Sequence, residues 1–301
     1  MMKLGTGLDF SVNLDMTDAE KYETMAKLGF HSADFSLMRS YKDPLWQLSD
    51  DELKEQMSYI RKIANENGIV IGQTHAPDDM LGGNQRGDKK MRLHAVIQAI
   101  KASSFLGAPY IVIHPIIFAY KSDKKLYEEA KQMNMEFFSS LIPYLEKYNI
   151  KVAIENLFSY NPVLRRHCRS TCSTAEDVID YIETLNSDRF VACLDTGHAN
   201  LAGQDPVEMI YKLGNKHLHV THIHDNYFTI DAHMMPGMGN IDWISIAKAL
   251  HDIQFEGVFN YEAGRPFYRL GEWRKELSLT MLKVYAEFGK AMTNVERKER
   301  G

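Results

Sequence analysis

Cysteine is scarce in this chain: only Cys168, Cys172 and Cys193 occur among its 301 residues. Three cysteines cannot all pair, so the sequence excludes a disulfide framework and favours a reducing, cytoplasmic setting. Cys168 and Cys172 have the spacing of half a zinc site, but no second cysteine pair accompanies them. A structural zinc site built from cysteines is therefore disfavoured.

Long apolar runs and an excess of basic charge are also missing. No apolar stretch approaches the roughly 20 residues of a membrane helix. The first residues, "MMKLGTGLDF", resemble a strand rather than a signal peptide. The formal net charge is −5, whereas proteins that bind nucleic acid mainly through its phosphates usually carry a basic footprint. We therefore expect no membrane partner, and nucleic acid is disfavoured.

Strand-like apolar runs alternate with amphipathic helical stretches along the whole chain. The predicted strands are residues 4–10, 32–37, 69–76, 110–115, 151–156, 190–196, 218–225 and 257–263. The predicted helices are residues 18–28, 51–66, 89–106, 124–148, 176–185, 206–213, 242–251 and 272–288. Such an order predicts a parallel sheet with right-handed crossovers.

Eight strand–helix units without a long linker predict one fold class, an α/β protein formed by a single (β/α)8 TIM barrel. We expect the barrel to span residues 1–301, with a peripheral tail at 290–301. The alternative is an open doubly wound sheet. It is disfavoured because no glycine-rich dinucleotide fingerprint follows the first strand, and "GTG" at 5–7 lies inside that strand.

Six predicted strands end in a histidine or a carboxylate. These residues follow one another at separations of 39, 41, 40, 27 and 40, close to one strand–helix unit each, and they are His75, His114, Glu155, Asp195, His222 and Glu262. The carboxyl ends of all strands of a (β/α)8 barrel converge on the face that carries the active site. Because buried carboxylates and imidazoles need partners, a shared divalent cation such as Zn²⁺ or Mn²⁺ is the simplest explanation.

Taken singly, these residues differ in how strongly they indicate a site. His75 and His114 are each compatible with an ordinary hydrogen-bonded histidine, whereas Glu155 and Asp195 end apolar strands and must be paired or ligated. His222 and His224 alternate along one strand, so we expect only one of them, His222, to point into the barrel.

Several short motifs resemble a known family, the xylose isomerase-like TIM-barrel superfamily. They are "THAP" (74–77), "VIHP" (112–115), "IEN" (154–156), "LDTGH" (194–198), "HIHD" (222–225), "DAHMMPGMGNIDW" (231–243) and "YEAG" (261–264). The resemblance covers about residues 5–288. The superfamily includes sugar and sugar-phosphate isomerases and epimerases, inosose-processing enzymes and the endonuclease IV type of abasic-site nuclease.

Resemblance to the isomerase and epimerase branch implies one divalent metal, which is Zn, Mn, Mg, Co or Fe. Its ligands would be Glu155, Asp195, His222 and Glu262, and Glu155 and Glu262 would also form the acid/base pair. This implies isomerisation or epimerisation of a sugar, sugar phosphate or related polyol, by proton transfer through a metal-stabilised enediolate.

Resemblance to the nuclease branch implies up to three zinc ions. His75 and His114 would bind the first, the four residues above the second, and His198, Asp231 and His233 the third. Multi-metal sites suit phosphodiester cleavage. The negative net charge and the acidic start of the segment 77–91 weigh against DNA binding. The residues of the first and third groups are therefore predicted first as substrate contacts and second as metal ligands: His75, His114, His198, Asp231 and His233.

The stretch "NPVLRRHCRSTC" at 161–172 follows the fifth strand on the predicted active-site side. Arg165, Arg166 and the nearby Arg169 are candidates for binding a substrate phosphate or carboxylate. A solvated surface loop is the equal alternative. The expected partner is a small sugar or sugar phosphate, and a homo-oligomer is compatible with the sequence.

Overall fold

The strands and helices lie where the hydrophobic pattern predicts them. The computed structural model describes residues 2–12, 14–77, 89–118, 124–269 and 274–295. The strands are β1 (Lys3–Thr6), β2 (Ser32–Ser36), β3 (Val70–His75), β4 (Tyr110–Ile113), β5 (Lys151–Glu155), β6 (Phe158–Asn161), β7 (Arg166–Arg169), β8 (Phe190–Asp195), β9 (Leu218–His222) and β10 (Val258–Tyr261). The helices are α1 (Asp18–Leu28), α2 (Asp50–Glu66), α3 (Lys89–Leu106), α4 (Lys124–Tyr148), α5 (Ala175–Leu185), α6 (Thr196–Leu201), α7 (Pro206–His217), α8 (Trp243–Asp252) and α9 (Arg274–Thr293).

Local capping signals begin several of the helices. Thr17, Ser49 and Thr174 each accept a hydrogen bond from the backbone three residues on, and the acidic residue at that position returns one. Helix α1 ends at Gly29, whose φ of 93° favours glycine. The ends of these helices are therefore defined by contacts between residues that are close in the chain.

Eight parallel strands close into a barrel, which confirms the predicted (β/α)8 fold. Their order is β10, β1, β2, β3, β4, β5, β8, β9. Between β9 and β10 the ring is closed by two backbone hydrogen bonds at Ile223, one donated to Asn260 O (2.8 Å) and one accepted from Glu262 N (3.1 Å). The seven connections between successive barrel strands place their helices on the outside of the sheet, so the strand ends converge as predicted.

The apolar core has two parts. A small cluster fills the barrel interior, and its residues are Val112, Ala153, Val191, Cys193 and Val220. A much larger shell packs the outer face of the sheet against the helices. This division leaves the carboxyl end of the barrel interior free for polar side chains.

Three local features differ from the sequence prediction. The stretch after β5 forms an antiparallel hairpin, β6–β7, rather than a plain loop, and the short helix α6 directly follows β8. The last helix, predicted over residues 272–288, continues to Thr293 as α9, and Met292 is buried. Residues 78–88, which form most of the segment 77–91 with the acidic start, lie outside the described residues, and so do residues 296–301. Among the helices that the structure describes, none is long and apolar enough to span a bilayer.

Candidate metal centre

The predicted strand-tip residues meet at the carboxyl end of the barrel. Glu155, Asp195 and His222 are the last residues of β5, β8 and β9, and Glu262 directly follows β10. One ligand atom from each of these four lies within 4.8 Å of the others. The Nδ1 atom of His222 is 3.0 Å from Glu155 Oε1 and 3.3 Å from Glu262 Oε2. Three carboxylates and one imidazole therefore converge on one point.

His75 and His114 face the other oxygen of Glu155. Their Nε2 atoms lie 3.5 and 3.0 Å from Glu155 Oε2, and 3.1 Å from each other. The Nδ1 atom of His75 lies 2.7 Å from the carbonyl oxygen of Ala76, which directs Nε2 towards Glu155. Glu155 is thus positioned between two groups of possible ligands.

The motif "DTGH" forms the turn from β8 into α6. Asp195 caps α6 by accepting a hydrogen bond from His198 N (2.6 Å), which sets His198 in the first turn of the helix. Thr196 Oγ1 bonds to the backbone on both sides of His224, at His224 N (3.1 Å) and His224 O (2.8 Å). The side-chain amide of Asn156 holds the backbone of Asp195 through two further hydrogen bonds. The tip of β8 is therefore tied to the ends of both neighbouring strands, β5 and β9.

His224 belongs to the site, which corrects the expectation that only one of His222 and His224 points inwards. Strand β9 ends at His222, so strand alternation does not extend to His224. His224 Nε2 lies 3.0 Å from Asp195 Oδ2, and its ring stacks on that of His233 with centroids 4.2 Å apart. Ligand atoms of His198, His224, Asp231 and His233 form a further group within 4.8 Å of one another.

The loop that carries Asp231 and His233 is organised by Asp225. This buried carboxylate accepts hydrogen bonds from Gly237 N and Gly239 N (3.0 Å each) and from Trp243 Nε1 (2.8 Å). Asp231 and His233 bond to each other, Oδ2 to Nε2, at 2.8 Å, and Nδ1 of His233 lies 2.7 Å from Glu262 O. The sequence pattern does not identify the role of Asp225, although this aspartate is the last residue of a predicted strand.

The β6–β7 hairpin extends over the site. The ring of Phe158 lies 5.1 Å from that of His198. Arg165 and Arg166 lie at the turn of the hairpin and are exposed, as is Arg169 at its base beside Phe158. A contact of these arginines with a substrate anion stays a prediction.

A cavity opens beside the cluster. It measures about 860 Å³, and the site residues His75, His233 and Glu262 line its inner end together with Asp34. Asp9 lines the same cavity, where its carboxylate accepts a hydrogen bond from the hydroxyl of Tyr268 (2.7 Å). The cavity is large enough for a small polar molecule to reach the cluster.

The pKa values of Glu155 and Glu262 are shifted in opposite directions. Burial raises the pKa of Glu262 above its ordinary value despite the nearby His222 and His233. Burial acts on Glu155 in the same sense, but the facing imidazoles of His222 and His114 outweigh it and hold the pKa of Glu155 well below its usual range. One carboxylate is thus kept ionised while the other accepts a proton more readily.

Three histidines of the site, His198, His222 and His233, hold their protons tightly in the chain without a metal. Burial lowers the pKa of His233, but its hydrogen bond to Asp231 and the nearby carboxylates raise that pKa to about 9. Burial also lowers the pKa of His198 and of His222. Nearby carboxylates outweigh it for His198, and Cys193 together with Glu262 and Glu155 outweighs it for His222, so both pKa values lie well above the ordinary value. An imidazolium among carboxylates is the expected substitute for a cation at such a centre.

The donor set and two unpaired atoms fit a divalent cation. Within the residues that the structure describes, Glu262 Oε2 and Asp231 Oδ1 are buried without a hydrogen-bond partner. Buried carboxylate oxygens without partners are costly, and a cation would satisfy both. Nitrogen and oxygen ligands of this kind suit Zn²⁺, Mn²⁺ and similar ions.

Comparisons with known proteins agree with this architecture. Residues 22–283 match the family model described as xylose isomerase-like TIM barrel. Inosose isomerase of Bacillus subtilis is 28% identical over 169 residues, which are 54% of this chain and 56% of that protein. D-psicose 3-epimerase of Enterocloster bolteae is 24% identical over 215 residues, which are 68% of this chain and 65% of that protein. The chain thus matches less than two thirds of the length of either relative.

Among solved structures, the fold is similar to that of the IOLI protein with a bound zinc atom. The TM-score is 0.70 with 22% identity, and the match covers 97% of this chain and 98% of the other. Relatives of this chain thus include sugar isomerases and epimerases. One protein of similar fold has a bound zinc atom. With the family model covering most of its length, the chain belongs to the xylose isomerase-like TIM-barrel family.

Proposed function

We propose that this chain is a divalent-metal-dependent isomerase or epimerase of a sugar, sugar phosphate or related polyol. The observation that carries the proposal is the convergence of Glu155, Asp195 and Glu262 on His222, with Nδ1 of His222 at 3.0 and 3.3 Å from the two glutamates. The relatives named as isomerase and epimerase support this class of reaction. The zinc in the similar IOLI structure supports a metal of the same kind.

Glu155 and Glu262 are the proposed acid/base pair. One carboxylate removes the proton from the carbon next to the substrate carbonyl, and the other delivers a proton. Delivery to the other face of the same carbon gives an epimer, and delivery to the neighbouring carbon gives the aldose. A bound divalent cation would polarise the carbonyl and make that C–H bond more acidic.

Their opposite pKa shifts support a division of roles. A pair of carboxylates whose surroundings separate their pKa values is the usual arrangement for acid and base work at one pH. In the chain without a metal, the pKa of Glu155 lies well below its ordinary value and burial raises that of Glu262, so the surroundings of the two carboxylates differ. His198 and His233 lie beside the pair, and we propose that they bind substrate hydroxyls.

The test is turnover in D₂O by the metal-loaded chain with D-psicose, D-fructose and an inosose as probes. We expect deuterium at the reacting carbon of the product, and a loss of at least about 100-fold in kcat for Glu155→Gln and for Glu262→Gln. Asp242→Asn, which changes an exposed carboxylate at the N-cap of α8 outside the cluster and the cavity, is the matched control. Interconversion that persists in the doubly substituted chain would disprove the proton-transfer scheme.

A second candidate function is supported by the extra ligand groups. The contacts of His75 and His114 with Glu155, and the group around Asp231, provide for up to three zinc ions, which suits an abasic-site phosphodiesterase. Three zinc ions per chain by metal analysis, together with cleavage of an abasic duplex, would favour it. One metal ion and no cleavage would favour the sugar enzyme.

A further inference from the structure

Three polar side chains lie buried in the barrel strands beneath the metal centre. They are Asp34 on β2, Gln73 on β3 and Asn260 on β10. The register between β2 and β3 shifts between Ala33 and Asp34, and the shift places Asp34 opposite Gln73. Such groups are costly in a barrel interior unless they bond to one another.

The two amides hold one oxygen of Asp34. Gln73 Nε2 donates to Asp34 Oδ2 at 2.8 Å, and Asn260 Nδ2 donates to the same oxygen at 3.0 Å. Strand β1 lies between β10 and β2, so Asn260 reaches Asp34 across Gly5. A side chain at Gly5 would lie 2.8 Å from Asn260 Oδ1, so glycine leaves the space for this contact. Asp34 is therefore fixed from both sides.

The same oxygen of Asp34 faces His222. Asp34 Oδ2 lies 3.5 Å from His222 Nε2, and this nitrogen has no hydrogen-bond partner among the described residues. The other nitrogen, Nδ1, faces Glu155 and Glu262. A neutral imidazole that binds a cation through Nδ1 must carry its proton on Nε2, and that proton requires an acceptor. A ring rotation that moves Nε2 by a few tenths of an ångström brings this nitrogen into hydrogen-bond range of Asp34 Oδ2.

We propose that Asp34 is a positioning residue that holds the His222 ring with its proton on Nε2 and its Nδ1 lone pair turned to the three carboxylates. Gln73 and Asn260 keep Asp34 in place. Carboxylates that accept the free N–H of a ligating histidine orient the ring and strengthen metal binding. The inference rests on the metal centre of the proposed function, but it concerns the binding of the cation and not the substrate.

The experiment is a zinc titration of the EDTA-treated full chain, with histidine ¹⁵N spectra of the zinc-loaded protein. We expect Asp34→Asn to weaken zinc binding by about 10- to 100-fold. Gln73→Met, which removes one donor to Asp34, is expected to weaken it by about 5-fold. Asp9→Asn removes a carboxylate of the same cavity that bonds to Tyr268, and its zinc affinity should stay within about 2-fold of the unsubstituted chain.

The spectra of the unsubstituted chain test the tautomer of His222 with Asp34 unchanged. Assigned through a His222→Gln sample, His222 should show zinc on Nδ1 and a proton on Nε2. Zinc on Nε2 of His222, or an Asp34→Asn chain that binds zinc as tightly as the unsubstituted one, would overturn the inference. Neither readout needs turnover. Asp34-dependent zinc binding in a chain that converts no sugar would remove the proposed function and leave this inference standing.

Discussion

At the scale of single residues, the motif "DTGH" gives each of its four positions a separate task. Asp195 offers one oxygen to the helix cap and the other to His224. Thr196 holds the backbone around His224, and His198 points into the site. Gly197 is required by packing, because a Cβ atom there would overlap the ring of His224. A buried strand ends in polar residues here because each of them has a partner.

Gly197→Ala should displace His224 from Asp195. We expect a loss of about 1–3 kcal/mol in the free energy of unfolding, because the extra methyl group has no space. Metal binding should also weaken, because His224 contacts the proposed ligand Asp195. Urea unfolding and metal analysis measure both. In a His224→Ala background the same substitution should be neutral, or stabilising by up to about 1 kcal/mol, since alanine favours the helix. An equal loss in both backgrounds would contradict the contact.

At the scale of elements, the loop between β9 and α8 is built around one carboxylate. Asp225 accepts backbone hydrogen bonds from Asn226, Gly237, Gly239 and Ile241, and one from the indole of Trp243. A side chain at Gly239 would overlap Asp225, which explains the second glycine of "PGMG". The loop positions Asp231 and His233, so the geometry of the metal centre depends on a residue outside it.

Asp225→Asn should destabilise the fold by about 3 kcal/mol, because an NH₂ group would then face buried N–H donors. Activity should fall as well, since Asp231 and His233 lose their support. Urea unfolding followed by tryptophan fluorescence is a direct measurement. Asp242→Asn, at the exposed cap of α8, is the matched control and should cost no more than about 1 kcal/mol. Equal losses in the two variants would argue against the loop role.

At the scale of the whole molecule, stability is linked to the protons held at the metal centre. Without a metal, the pKa of His233 rises to about 9, and the pKa values of His198 and His222 lie well above the ordinary value. The folded state therefore binds these protons more tightly than the unfolded state does. The contribution of His233 is fully present below pH 6.5 and is lost as the pH rises to about 9, and the contributions of His198 and His222 are likewise lost above pH 6.5. Metal binding at the four-ligand centre displaces the proton on Nδ1 of His222 and therefore becomes stronger as the pH rises.

The metal-free chain should therefore lose stability between pH 6.5 and 9, by an order of 3 kcal/mol from His233 alone. The zinc-loaded chain should show a smaller loss, because the positive charge of the metal lowers the pKa of the neighbouring histidines. Urea unfolding at several pH values, with EDTA or with zinc, makes the comparison. His233→Gln should reduce the pH dependence of the metal-free chain. A metal-free chain whose stability stays constant or increases over this interval would refute the linkage.

The sequence by itself determined the barrel and most of the strand tips. Apolar periodicity, caps such as Thr17 and Ser49, and stops such as Gly29 act over a few residues, so they can be identified without a structure. A closed parallel barrel then brings the ends of its strands together. For this reason Glu155, Asp195 and His222 could be grouped before any contact was known.

Only the tertiary structure decided which further polar residues join them. The inclusion of His224 depends on β9 ending at His222, and the pairing of Asp34 with Gln73 depends on a register shift between two strands. Asp225 acts through a loop folded back on it. Register, strand ends and loop packing result from contacts between residues far apart in the chain, and local sequence patterns carry no record of those contacts.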